Sequence, residues 1–150
     1  MTATPLREAA LAAIAARLSA QLPTVTVERA RRSPVDTDAD TLPLLVLHGT
    51  TWDADESSDV LATQYVIGFD IAGYATGATD LAAEQALSAL HAQVVAALRA
   101  WEPGSGLVAV VEVSADFALS DAEDSAKPAG SFIASFTAQA FGSAAGPYSS

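Results

Sequence analysis

The chain has no cysteine. That one absence removes disulfides, thiolate nucleophiles and cysteine-bound zinc together. Histidine is scarce: only His48 and His91, far apart in sequence. No GxGxxG opens a helix, and there is no GxxxxGK[ST] and no GxSxG, so the common phosphate cradles and the nucleophile elbow are missing. The N-terminus has no basic segment leading into an apolar one, so no secretory signal is expected. No uninterrupted apolar run approaches the ~20 residues of a membrane span. Cations are few, seven against eighteen acids, for a net charge of −11. Duplex binding rests on neutralising phosphates, so so acidic a chain is a poor candidate for wrapping nucleic acid. What remains is a small assembly or binding domain, made in the cytoplasm.

The few cations are unevenly placed. Residues 1–32 hold Arg7, Arg17, Arg29, Arg31 and Arg32 against Glu8 and Glu28, a net of +3. Residues 33–150 hold Arg99 and Lys127 against sixteen acids, a net of −14. A polarised chain of this kind suits contact with copies of itself, or a passage for another anion, better than catalysis. The length of 150 residues suits one domain, large enough to bury a core without a metal or disulfide. The hydrophobic share of 51% is inflated by alanine, which buries little area per side chain.

Periodicity gives the elements. Leu11, Ile14, Ala15, Leu18 and Leu22 recur at helical spacing within 6–22, between Pro5 and Pro23. Val25 and Val27 alternate with polar neighbours as a short strand. Residues 31–42 lack an apolar period and read as a loop. Leu44–His48 reads as a strand buried on both faces, and 53–59 as a solvated acidic turn. In 60–75, Leu61, Thr63, Tyr65, Ile67, Phe69 and Ile71 share one face of a long strand. A turn from Gly73 to Gly77 follows, and Thr79 or Asp80 caps a helix over 80–101. Leu87, Leu90, Val94, Leu98 and Trp101 make its apolar stripe. Leu107, Ala109, Val111, Val113, Ala115, Phe117 and Leu119 alternate as the apolar face of a further strand, against Glu112, Ser114 and Asp116. A polar loop, 120–130, leads to a last strand at about 131–141 and a flexible tail, 142–150. The order αβββαββ predicts an α+β two-layer sandwich: a mainly antiparallel sheet of about five strands with both helices on one face.

Few residues suggest chemistry. Asp36-x-Asp38-x-Asp40 begins like a calcium loop, but the sixth and twelfth positions are Thr41 and Leu47, so it reads as a solvated acidic loop. His48 lies near Asp53 and Asp55, yet without a nucleophile it reads as structural. His91 sits one residue from the apolar stripe, at an interface or in solvent. Arg29, Arg31 and Arg32 form the one basic cluster. It is either a solvated strand end or a docking patch for an acidic partner surface. No catalytic residue, metal ligand or cofactor site is expected.

The order of these segments resembles the tail terminator proteins of long-tailed, siphovirus-like phages and of phage-like particles such as gene transfer agents. The resemblance runs over most of the chain. It comprises the helix Leu6–Leu22, Val25-x-Val27, the Pro43-led apolar run, the strand Thr63–Ile71, the helix Leu81–Trp101 and the strands Val108–Leu119 and Phe132–Phe141. The Gly146-Pro147-Tyr148 tail is similar to the family's GDPY-like endings, with Ala145 in place of Asp. The resemblance implies a ring of copies of this chain, usually a hexamer, at the head-proximal end of the tail. Such a ring caps the tail tube, stops its polymerisation and joins it to the head connector or stopper protein. DNA passes through the lumen without specific binding; no catalysis, cofactor or membrane is involved. Asp121, Glu123 and Asp124 are then expected at the lumen or between subunits. A neck or tail-completion protein of the same assembly is the alternative. A small-ligand-binding or enzyme accessory domain, with a groove between helices and sheet, is the rival from another class.

Overall fold

The structure is a computed structural model, describing residues 4–55, 64–99, 101, 107–120, 127–142 and 146–148. The elements run α1 (Leu6–Gln21), β1 (Thr26–Arg29), β2 (Leu44–Asp55), β3 (Gln64–Thr76), α2 (Asp80–Arg99), β4 (Leu107–Leu119) and β5 (Ala129–Phe141). The expected α+β class and element order are those observed. The sheet has five strands in the order β1-β2-β3-β5-β4. β1 pairs parallel with β2, and every other pairing is antiparallel.

Both helices lie on one face of this sheet. α1 leans on β1 and β2, while α2 leans on β3, β5 and β4. Pro5, which has no N–H to leave unsatisfied, stands at the start of α1, and the chain leaves the helix at Leu22 before Pro23. Leu6, Ala10, Leu11, Ile14 and Leu18 are its buried stripe. At α2, the N–H of Ala82 donates to Thr79 Oγ1 at 3.1 Å, so Thr79 supplies the cap. Asp80 in the first turn and Arg99 in the last oppose the helix dipole. Ala83, Leu87, Leu90, Val94, Ala97 and Leu98 are buried. By length and composition α2 also meets the description of a membrane span, with 20 residues and a mean hydropathy of 1.2 over its most apolar window. A search for unbroken apolar runs passes over it, because polar residues interrupt its leucines, valines and alanines. In the fold its stripe is spent on the sheet.

The core lies between the layers. β3 contributes Tyr65, Ile67, Phe69 and Ile71; β5 contributes Phe132, Ala134, Phe136 and Ala138; β2 contributes Leu45 and Leu47. Phe69 and Phe136, paired across β3 and β5, stack at 5.3 Å. Gly73 sits inside β3, where an added Cβ would lie 2.2 Å from the Phe132 ring. Small residues along β5 let α2 approach closely, which explains what the alanines are for. Leu44 is also buried, on the face away from the helices, but Val46 on that face is only half-buried and His48 is exposed, so the strand expected to be buried on both faces is covered on one.

Four boundaries and part of a further face differ from the sequence reading. β2 runs on to Asp55, so Asp53 and Ala54 belong to a strand rather than an acidic turn; β3 offers a partner along the whole length. Residues 56–59, and Leu61 and Thr63 of the next strand, lie outside the described residues. β3 continues to Thr76, so the turn is Gly77–Thr79. α2 stops at Arg99, leaving Trp101 beyond it. β5 begins at Ala129, which shortens the 120–130 loop.

The face assigned to β4 is overturned in part: Ala109 and Val111 turn away from the helices, whereas Ala115, Phe117 and Leu119 stay on the helix side, the last two at a half-open rim. Val111, Val113, Phe117 and Leu119 are exposed, at 57%, 64%, 50% and 45%. β4 forms the sheet edge, and its register breaks between Leu107 and Ala109 and again between Glu112 and Ser114. Each bulge inserts a residue and resets the alternation. Glu112 therefore points to the helix side and Val111 away from it.

Candidate assembly surfaces

The basic cluster is placed at the end of β1, but most of its charge is used within the chain. Arg29 donates from Nη1 and Nη2 to Glu8 Oε1 and Oε2 of α1, at 2.6 and 3.0 Å. This bidentate pair locks β1 to α1 and holds the Glu8 carboxyl below its usual range, chiefly through the Arg29 hydrogen bond. Arg31 donates to Glu28 at 3.1 Å and to Asp40 at 2.8 Å, and also to the Ser33 and Pro34 carbonyls. Of the three, only Arg32 is exposed and without an ion pair among the described residues. As a free docking patch the trio reduces to this one guanidinium.

Of the other cations of α1, Arg17 is also structural. Arg17 donates from Nε to the Ala97 carbonyl at 3.0 Å and lies 6.0 Å above the Trp101 ring, tying α1 to the end of α2. Arg7 lies over Gly49 and, with Pro5, Trp52, Pro147 and Tyr148, lines a small pocket.

Asp36, Asp38 and Asp40 do not converge as a calcium loop. Asp36 Oδ1 accepts the N–H of Asp38 at 3.0 Å, and Asp40 Oδ2 accepts the N–H of Asp36 at 2.7 Å as well as Arg31. These hydrogen bonds lower the Asp40 pKa, the backbone N–H of Asp36 most of all. The carboxylates act as local braces that return the chain from β1 to β2. Among the described residues no three His, Asp or Glu side chains gather as a metal site.

His48 is exposed on the helix-free face, opposite Asp70 of β3. His91 lies at an internal interface: its Nε2 is 2.6 Å from Glu112 Oε2, and its ring meets the edges of Phe117 and Phe132. This cluster bolts α2 to the edge strand, and the bulge after Glu112 is what brings the carboxylate round to the histidine. Two grooves flank the bolt between α2 and β4. One, of about 380 Å³, is lined by Val95, Leu98, Arg99, Val110 and Glu112 among others. The second, of about 320 Å³, is lined by Glu84, Leu87, Phe117 and Leu119 among others. They are open and shallow, and no catalytic pair faces into either.

The helix-free face of the sheet mixes apolar, hydroxyl and acidic side chains. One row crosses it as Val46, Ala72, Ile133 and Asp116, the next as His48, Asp70, Ser135 and Ser114. Ser135 Oγ donates to Asp70 Oδ1 at 2.8 Å. Its described strand residues include Asp53, Asp70 and Asp116 and no Lys or Arg. Asp121, Glu123 and Asp124 lie outside the described residues.

Sequence reasoning missed the apolar edge of β4. Its one signal was the adjacent pair Val110-Val111, which breaks strict alternation just before Glu112. It also missed the clasp at the chain ends, where Leu6 N–H donates to the Pro147 carbonyl at 2.9 Å and Pro5 bridges to Tyr148.

The whole fold has a counterpart among solved structures. It resembles a virion chain. That chain belongs to the virion of a native gene transfer agent particle, and the alignment covers 92% of this protein and 96% of that one. The TM-score is 0.54 and the sequence identity 20%, so the likeness is one of fold. No family model matches the sequence, and no curated protein does.

Proposed function

We propose that this protein is a structural component of a virion or phage-like particle, without enzymatic activity. In this reading, copies of the chain form a ring, a hexamer, at the head-proximal end of the tail. The ring caps the tail tube, ends its polymerisation and joins it to the head connector. The observation that carries the proposal is the nearly end-to-end correspondence in fold with a gene transfer agent virion chain. The surface agrees in kind: the conspicuous features are an apolar sheet edge and a helix-free face that bears acids, and the described grooves hold no nucleophile-and-base pair.

The channel follows from the same reading. A wall carrying Asp53, Asp70 and Asp116 without cations keeps a phosphate backbone from adhering, so DNA slides past without specific contact. Asp121, Glu123 and Asp124 add to that charge if they reach the lumen. With a net charge of −11 per copy, free rings are favoured by salt that screens subunit repulsion.

The test is electron microscopy of the parent particle with this chain labelled, together with particles lacking it. A ring at the head–tail junction, with over-long or headless tails in its absence, is the expected result. A ring inside the head connector would make it a neck protein instead. Intact particles without the chain, or a monomer that binds a small ligand in the α2–β4 groove, would end the assembly reading.

A further inference from the structure

The sheet ends in two unlike edges. β4 is 13 residues long and pairs on one side only, with β5. An unpaired strand rim of that length is a template for another chain unless it is blunted or covered. Two bulges and the charges of Glu112 and Asp116 blunt it only in part: β4 contains no proline and no lysine, and four of its side chains are exposed large apolar groups. β1, at the opposite edge, is only 4 residues long and polar, reading Thr-Val-Glu-Arg.

Two copies can meet at β4 in two ways, like edge to like edge or β4 edge to the β1 end. Charge separates them. α2 and β4 carry Asp80, Glu84, Glu112 and Asp116 against Arg99, a net of −3. A like-edge contact sets that charge against itself. The other end, α1 and β1 through Arg32, carries a net of +3. Counting Asp36, Asp38 and Asp40 of the following loop brings it to zero, still without repulsion. Complementary charge selects orientation even where it adds little affinity. Beside the β1 edge the cation left to meet an acid on a neighbour is Arg32, with Arg7 on α1 also exposed and without an ion pair among the described residues, since Arg29 and Arg31 are paired within their own chain. The two edges lie at opposite ends of one slab, so such a contact repeats head to tail and closes when the rotation allows.

We infer that the β4 edge, around Val113, receives the α1/β1 end of a second copy of this chain, with the Arg32 corner facing the acids of β4. The inference rests on the ring reading above and specifies which surfaces meet. It sets the sheets side by side around the ring.

The absence of cysteine makes the contact directly testable. Val113→Cys replaces a side chain that is 64% exposed, and Ser33→Cys is nearly isosteric beside Arg32. A short bismaleimide applied to the double variant, in the parent particles and as purified protein at high concentration, should give a ladder of dimers, trimers and larger species. The two single variants mixed should give only a heterodimer, at least about tenfold more abundant than any dimer of Val113→Cys alone. Equal linking by Val113→Cys alone would overturn the inference in favour of a like-edge pair. Linking of Val113→Cys to a different particle protein would overturn it too. Normal capped tails whose double-variant copies stay unlinked would remove this contact and leave the tail reading standing. A ladder from a chain absent from tails would keep the contact and remove the tail reading.

Discussion

β3 and β4 are each 13 residues long, and both show apolar alternation in the sequence, yet the fold uses them oppositely. β3 lies at the centre of the sheet. It pairs with β5 over 13 successive positions without a break, and its apolar face is sealed under the helices. β4 lies at the rim, its register breaks twice, and it exposes most of its large apolar side chains. An alternating pattern states that a strand has two unlike faces. It does not state whether the apolar one is covered by its own chain or left for another.

The sharpest way to break this comparison is to truncate one side chain in each strand. Phe69→Ala in β3, at a site that is 0% exposed, should cost about 3–5 kcal/mol in urea unfolding. Val113→Ala should change stability by no more than about 0.5 kcal/mol, as for most surface substitutions. Equal losses would mean that β4 is as much core as β3. Next in size is Gly73→Ala, which drives a methyl group into the Phe132 ring. Overpacking of this kind costs about 1–3 kcal/mol, and thermal melts would read it.

A smaller contrast separates neighbours at the β1 edge. Arg31→Ala removes bonds to Glu28 and Asp40 that brace the return to β2, so it should lower Tm. Arg32→Ala should leave Tm unchanged, whereas Arg32→Glu should slow association of copies and steepen its salt dependence. If Arg32→Glu leaves tail length and association untouched, that corner is only a solvated strand end.

The smallest effect is in the acid limb of the stability curve. Arg29 holds the folded-state pKa of Glu8 below 4.5, so the unfolded chain binds this proton more readily. The pair's contribution is therefore present above pH 4.5 and lost as pH falls through the folded value. Glu8 is half exposed, which keeps the contribution small. Relative to wild type, Glu8→Gln should be least stable near neutral pH, and the gap should close in acid. A gap that widened toward low pH would contradict the pairing.

How much of this was legible depends on what each residue's fate hinges upon. The α2 stripe and the Tyr65–Ile71 face were readable because helical and strand periods are local properties of the chain. The edge position of β4 was not, because it is set by which strand β5 chooses as its second neighbour. The bulges hide in the same way: they turn Glu112 to the helix side, where it meets His91, and no local period announces them. The cluster of arginines was visible, but its neutralisation was not, since Glu8 and Asp40 are brought to Arg29 and Arg31 by folding. Overlap of the whole fold with a virion chain adds what no single motif carried.

The clasp between Pro5–Leu6 and Pro147–Tyr148 brings the two ends of the described chain to one corner of the subunit. For imaging, markers attached near Pro5 and near Tyr148 would therefore report nearly the same point, and the two together would not reveal the molecule's long axis. A circularly permuted chain, joined by a short linker at that corner, has little distance to bridge. New ends opened at the Gly77–Thr79 turn would carry a marker to a second place on the subunit, and the vector between the two markers would report its tilt in a particle.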